Sequence, residues 1–128
     1  MKLDYIPDIN AFGGNVVRLY QFDKTQSILF RNAFCQRVLK EKQKLDLATL
    51  DFIECRNCNL VLRISQEDEG ITTENNIDFV CKLRLKSYEK MLVLLSPFRK
   101  KRTIPYQYLY DVDSLTDFLF SPGGSWGE

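Results

Sequence analysis

The segment Ile77–Leu85 restricts the fold of this chain more than any other part of the sequence. Its apolar residues occupy every second position, which is the spacing of a β-strand with one buried face. Asn59–Ser65 is also predicted to be a strand, and so is Asn15–Phe22, which is rich in β-branched and aromatic residues. Pro105–Val112 completes a set of four predicted strands. The chain therefore has to bury one face of a β-sheet.

Two helices are predicted between these strands. Asp23 and Gln26 have the spacing of a capping box, so a helix is expected to begin there and to run to about Lys44. Ser87 is the predicted cap of a second helix, which Pro97 ends. The order β-α-β-β-α-β predicts a ferredoxin-like α+β sandwich, with two helices on one face of a four-stranded antiparallel sheet.

The remaining segments carry weaker signals. Met1–Gly14 is predicted to be an irregular lead-in, and Gln66–Asn76 is predicted to be a loop. Leu45–Ile53 is ambiguous between a helical turn and extended chain. Residues 113–128 are predicted to form a helical turn and a C-terminal tail that packs back on the domain or on a partner. We expect a single domain over residues 1–128, because domains commonly span about 100–200 residues.

Histidine is absent from the 128 residues of the sequence. Histidine is the commonest metal ligand and a common general base, so a triad or dyad that uses it is excluded for this chain alone. The longest apolar run, Met91–Leu95, is far shorter than the about 20 residues of a membrane span. The N-terminal region lacks the apolar core of a signal peptide. We expect a cytoplasmic protein with reduced cysteines, no cofactor and no membrane contact.

Cys55 and Cys58 form a C-x-x-C pair, which is the spacing of half a zinc knuckle. A complete site would need Cys35 and Cys81, or a carboxylate, but each of these two cysteines lies on an apolar face that is expected to be core. Reduced structural thiols are therefore predicted in preference to a metal site or a redox pair.

The predicted sheet leaves one face free of helices, and this face combines cations with aromatic rings. Such a mixture is typical of surfaces that bind single-stranded nucleic acid, but the third strand lacks the RNA-recognition signature. Cover by the C-terminal tail, which contains Trp126, or self-association is the preferred interpretation. The candidate binding residues of this face are Arg18, Tyr20, Arg63, Lys82, Arg84, Tyr106, Tyr108 and Tyr110.

Charge is segregated along the chain, although the formal net charge is only +1. Ser65–Cys81 contains five acidic and no basic residues, whereas Lys82–Arg102 contains eight basic residues and one acidic residue. Such blocks mark interaction surfaces or segments that pack against each other. The basic block ends in a candidate phosphate-binding loop, for which a solvated surface loop is the preferred interpretation. Its four cations are Arg99, Lys100, Lys101 and Arg102.

No catalytic motif is recognisable, and the sequence therefore favours a non-catalytic protein-binding module that can associate with itself. Two alternatives stay open. One is single-stranded nucleic-acid binding on the open sheet face. The other is a metal-dependent phosphodiesterase or nuclease that uses Asp23, because Leu19–Asp23 resembles the end of the first strand in ferredoxin-like metal-dependent nucleases. A helix N-cap is the preferred role of Asp23.

Overall fold

The computed structural model describes residues 1–8, 14–99, 107–110 and 116–122. In this part of the chain the helices are α1 (Lys24–Phe34) and α2 (Leu85–Leu95). The strands are β1 (Lys2–Ile6), β2 (Asn15–Tyr20), β3 (Leu45–Asp46), β4 (Glu54–Cys55), β5 (Asn59–Ile64), β6 (Gly70–Thr73), β7 (Asp78–Leu83), β8 (Gln107–Tyr110) and β9 (Thr116–Ser121).

The strands form two separate sheets. Sheet A has the order β4-β1-β2-β9-β8, and sheet B has the order β3-β5-β7-β6. Both sheets mix parallel and antiparallel neighbours, since β2 is parallel to β9 and β5 is parallel to β7. The prediction of a ferredoxin-like sandwich, with one four-stranded antiparallel sheet, is therefore wrong, although helices and strands are both present as predicted.

A strand that the sequence analysis missed explains the error in sheet B. β6 lies inside the predicted loop Gln66–Asn76 and runs antiparallel to β7. The chain reverses direction between β5 and β6 and again between β6 and β7. As a result, β7 lies parallel to β5 rather than antiparallel. Gly70 begins β6 with a φ of 78°, a conformation that favours glycine because it has no Cβ.

Two more missed strands explain the error in sheet A. β1 lies in the predicted irregular lead-in and pairs antiparallel with β2, from Lys2 opposite Tyr20 to Ile6 opposite Val16. β9 lies where a helical turn is predicted, and it pairs parallel with all six residues of β2. β2 is thus the central strand of five, and five of its six residues are buried.

A hydrophobic core is shared by both sheets and both helices. The aromatic ring of Phe30 lies 5.7 Å from that of Phe120 on β9, and the ring of Phe34 lies 5.9 Å from that of Tyr88 on α2. Alternate residues of β2, β5 and β7 point into this core, as the sequence pattern predicts. They are Val17, Leu19, Leu60, Leu62, Phe79, Cys81 and Leu83.

Helix α1 begins at the predicted capping box. The backbone N–H of Gln26 donates to the Asp23 carboxylate at 2.8 Å, and the Asp23 N–H donates to the Gln26 side chain at 3.3 Å. The α-helix ends at Phe34, earlier than predicted, and the chain continues as a π-helical segment, Cys35–Lys40. Neither α1 nor any other helix in the described ranges has the length and apolarity that a membrane crossing requires.

Helix α2 begins at Leu85, before the predicted cap Ser87, and ends before Pro97 as predicted. Its N-terminus is capped by a residue that is distant in sequence. The Asp68 carboxylate accepts hydrogen bonds from the Arg84 N–H and the Ser87 hydroxyl, both at 2.8 Å. A carboxylate at this end of a helix also interacts favourably with the helix dipole. The acidic block of the sequence thus contacts the basic block directly.

Candidate functional site

The residues predicted to share one open sheet face lie on two different sheets. Arg18 and Tyr20 are on β2 of sheet A, whereas Arg63 and Lys82 are on β5 and β7 of sheet B. Arg84 follows β7 at the start of α2. The single surface expected from strand alternation is therefore divided between the two sheets.

Arg18 and Tyr20 are buried, with exposures of 5% and 8%. The Arg18 guanidinium forms a bidentate ion pair with Asp4 on β1, with Nε 2.8 Å from Oδ1 and Nη2 3.1 Å from Oδ2. Its Cζ lies 3.9 Å from the centre of the Tyr20 ring. Burial, together with the Asp4 carboxylate, raises the pKa of Tyr20 above its ordinary value. This cluster stabilises sheet A and is withdrawn from solvent.

The predicted tyrosine face is also divided. A β-bulge between Tyr108 and Tyr110 shifts the register, so that Tyr108 lies opposite Leu119 and Tyr110 lies opposite Phe118. A bulge adds one residue to a strand and so changes the face on which later residues lie. Tyr110 consequently packs against the core, to which Phe118 belongs. Tyr106 lies outside the described residues.

The predicted basic loop and tail fall largely on residues that the structure leaves undescribed. The backbone of Arg99 ends a short 3₁₀ segment, Ser96–Arg99. Lys100, Lys101, Arg102 and Trp126 lie outside the described residues. Phosphate binding by the loop and docking of the tail therefore stay predictions.

The other candidate chemistry of the sequence has structural roles. Asp23 caps α1, and the buried side chains of Cys58 and Cys81 belong to the core. Burial raises the pKa of both thiols to about 12, which keeps them protonated at neutral pH. Cys55 is exposed, and all four cysteines are unpaired. Among the described residues, no group of three or more Cys, Asp or Glu side chains is placed to hold a metal ion.

The outer face of sheet B is directed away from the core. Along β5 and β7 the buried residues alternate with more exposed ones. Because the two strands are parallel and in register, the more exposed residues form three rows. These rows are Asn59 with Asp78, Val61 with Val80, and Arg63 with Lys82. The face thus changes from acidic through apolar to basic in the direction of the strands.

A shallow concavity of about 490 Å³ follows this face. It extends from Arg63 and Lys82, here called the basic row, to Glu74 and Asp78 near the turn between β6 and β7. A smaller concavity of about 210 Å³ adjoins the basic row and includes Glu69 in its lining. The outer face of sheet B is therefore shallowly concave beside the basic row.

The charged groups at the two ends of the face form no ion pair with any described residue. The carboxylate of Glu69 accepts a hydrogen bond from the Ser65 hydroxyl at 3.0 Å instead of pairing with the basic row. Asp78 accepts one from the Asn75 amide at 3.0 Å. Asp78 and Lys82 lie four residues apart on β7, which is about 13 Å in a strand, too far for them to neutralise each other.

Tyr88 of α2 supports the basic row from the core side. Its hydroxyl lies 2.8 Å from the Arg63 carbonyl oxygen and 2.9 Å from that of Cys81, and its single proton is shared between these two acceptors. The Arg63 N–H donates to the same hydroxyl at 3.1 Å. Burial raises the pKa of Tyr88, so the hydroxyl keeps its proton. The ends of β5 and β7 are thereby fixed to the helix.

Sequence reasoning identified the basic row but missed the acidic end of the same face. Asp78, Val80 and Lys82 are related by the two-residue period of β7, so the signal was present in the sequence. The position of Glu74 depends on β6, which was predicted to be a loop, and no local pattern reveals it.

Comparisons of the chain with protein-family models, with curated proteins and with solved structures found no match.

Proposed function

We propose that this protein is a non-catalytic interaction module that binds an acidic segment of a protein through the basic row. One observation carries the proposal. Arg63 and Lys82 are neighbours in register on β5 and β7, and neither forms an ion pair with any of the described residues. Opposing carboxylates would neutralise both cations at once, and the Arg63 guanidinium offers bidentate geometry to one of them.

The row formed by Val61 and Val80, here called the valine row, supports the choice of a protein partner that has apolar side chains beside its acids. Val61 and Val80 are half-buried and directly adjoin the basic row. Exposed ion pairs contribute only about 0–1 kcal/mol each, so charge alone gives weak binding. Burial of apolar surface adds about 25 cal/mol per Å². A segment in which acidic and apolar residues alternate matches both rows.

The test uses a synthetic peptide of alternating glutamate and valine, added to ¹⁵N-labelled protein and followed by NMR. We expect the amide signals of Arg63 and Lys82 to shift, and the shifts to shrink as salt is added. A peptide with lysine in place of glutamate should cause no such shifts. The double variant Arg63→Gln with Lys82→Gln should lose the response, whereas Lys90→Gln, on the exposed side of α2, should retain it.

Any one of three results would overturn the proposal. The first is the absence of shifts at the basic row. The second is an equal loss of response in Lys90→Gln. The third is a response of the same residues to oligothymidine but not to the acidic peptide, which would assign the face to single-stranded nucleic acid.

A further inference from the structure

We infer that the acidic segment is supplied by a second copy of this chain, so that two outer faces of sheet B pack against each other. This inference rests on the proposed function of the basic row. The two faces are related by a two-fold axis that lies between them, runs across the strands and passes over Val61 and Val80. Such an axis brings the same surface of both copies together.

The order of the rows makes the face complementary to itself. On β7, Asp78 and Lys82 each lie two residues from Val80. Rotation about the axis reverses the strand direction, so that Lys82 of each copy lies opposite Asp78 of the other. The valine rows meet at the centre. Asp78 and Lys82, which form no ion pair with a described residue of their own chain, thereby each gain an opposite charge.

The second strand obeys the same symmetry. On β5, Asn59 and Arg63 each lie two residues from Val61. The rotation sets Arg63 opposite Asn59 of the other copy, with Asp78 on the neighbouring strand about 5 Å to the side. Aligned sheets pack about 10 Å apart, a distance that long side chains such as arginine and lysine bridge. Asp78 of one copy therefore lies near both cations of the basic row of the other.

The size of the face predicts a weak dimer. Four strands spaced about 4.8 Å apart and about 20 Å long give a face of at most about 400 Å² per copy. The buried total of about 800 Å² is below the roughly 1,000 Å² that stable complexes exceed. Dimers should therefore form only at high protein concentration.

The test measures sedimentation of the whole chain over a wide concentration range. The wild type should change from monomer to dimer as concentration rises. Lys82→Glu and Asp78→Lys each place like charges opposite each other, and each should raise the dissociation constant at least about tenfold. An equimolar mixture of the two variants should dimerise again, because the side chains at positions 78 and 82 that face each other then carry opposite charges. Lys90→Glu, outside the face, should behave as wild type. Circular dichroism establishes that each variant is folded.

The outcomes separate this inference from the proposed function. A wild type that stays monomeric, but whose basic row still binds the glutamate–valine peptide, overturns self-association and leaves peptide binding intact. A dimer that Lys82→Glu does not weaken also overturns the inference, as does a mixture that fails to recover. Loss of both dimerisation and peptide binding overturns both proposals.

Discussion

Replacement of Tyr88 by phenylalanine should loosen the attachment of helix α2 to sheet B. The hydroxyl connects the helix to the backbone of Arg63 on β5 and of Cys81 on β7. The ring itself packs beside Phe34 in the core, and this contact is retained because phenylalanine has the same ring. The substitution therefore removes the hydrogen bonds and little else.

The expected loss of stability follows from the polar backbone groups that lose the Tyr88 hydroxyl as a hydrogen-bond partner. Tyr88 is completely buried, so water does not replace the lost group without rearrangement. The Arg63 N–H loses the acceptor that it has in the native structure. A buried polar group deprived of its partner costs about 1–3 kcal/mol, so we expect the free energy of unfolding to fall by about 2 kcal/mol.

Urea unfolding followed by circular dichroism measures this difference. The denaturation midpoint should fall while the slope stays constant. Tyr5→Phe is the matched control, because Tyr5 also lies in an aromatic pair, with Phe79 at 4.6 Å, and its hydroxyl makes no hydrogen bond to a described residue. Its effect should stay within about 0.5 kcal/mol. Equal stability of the two variants would refute the reasoning, as would unchanged hydrogen exchange at the Arg63 amide.

Two further predictions concern charges. Asp4→Ala should lower the free energy of unfolding by about 3 kcal/mol, because it removes the bidentate partner of the buried Arg18 guanidinium. In a double-mutant cycle with Arg18→Met, a coupling below about 0.5 kcal/mol would contradict this. Burial alone would raise the pKa of Asp68, but hydrogen bonds from Arg84 and Ser87 hold it below its ordinary value of 3.8. The resulting stabilisation is present above that value and is lost as pH falls through the lower, folded-state pKa. The stability difference between wild type and Asp68→Asn, measured by urea unfolding, should therefore shrink toward pH 2, and a pH-independent difference would refute the role of this carboxylate.

The sequence predicted those elements that are determined by residues only a few positions apart in the chain. The Asp23 capping box and the buried residues of β5 and β7 are examples, because capping and alternation depend only on neighbours along the chain. The strands β1 and β6 are shorter than β5 and β7, and β9, although six residues long, has no strict alternation of apolar and polar residues. Their formation depends on pairing with β2 and β7, which are distant in sequence or separated by turns.

The candidate site was predicted in part for the same reason. The alternation of β5 and β7 placed Arg63 and Lys82 on one face correctly. It placed Arg18 on that face too, because a strand pattern does not reveal which sheet the strand joins. Asp4, which neutralises Arg18, lies on a strand that the sequence analysis treated as irregular. Because β1 was not predicted, Arg18, which is a buried structural cation, was predicted to be a binding residue.

The pairing of β2 with β9 has a consequence for synthesis in the cell. Asn15 lies beside Thr116, which follows it by 101 positions in the sequence. One edge of β2 therefore cannot pair until most of the chain has left the ribosome. Closing so long a loop is entropically unfavourable and slows folding. Until then, an apolar strand with an unpaired edge is exposed to other nascent chains. Slow translation or chaperone binding before Thr116 emerges should therefore influence the yield of native protein more than any event after β9 has paired.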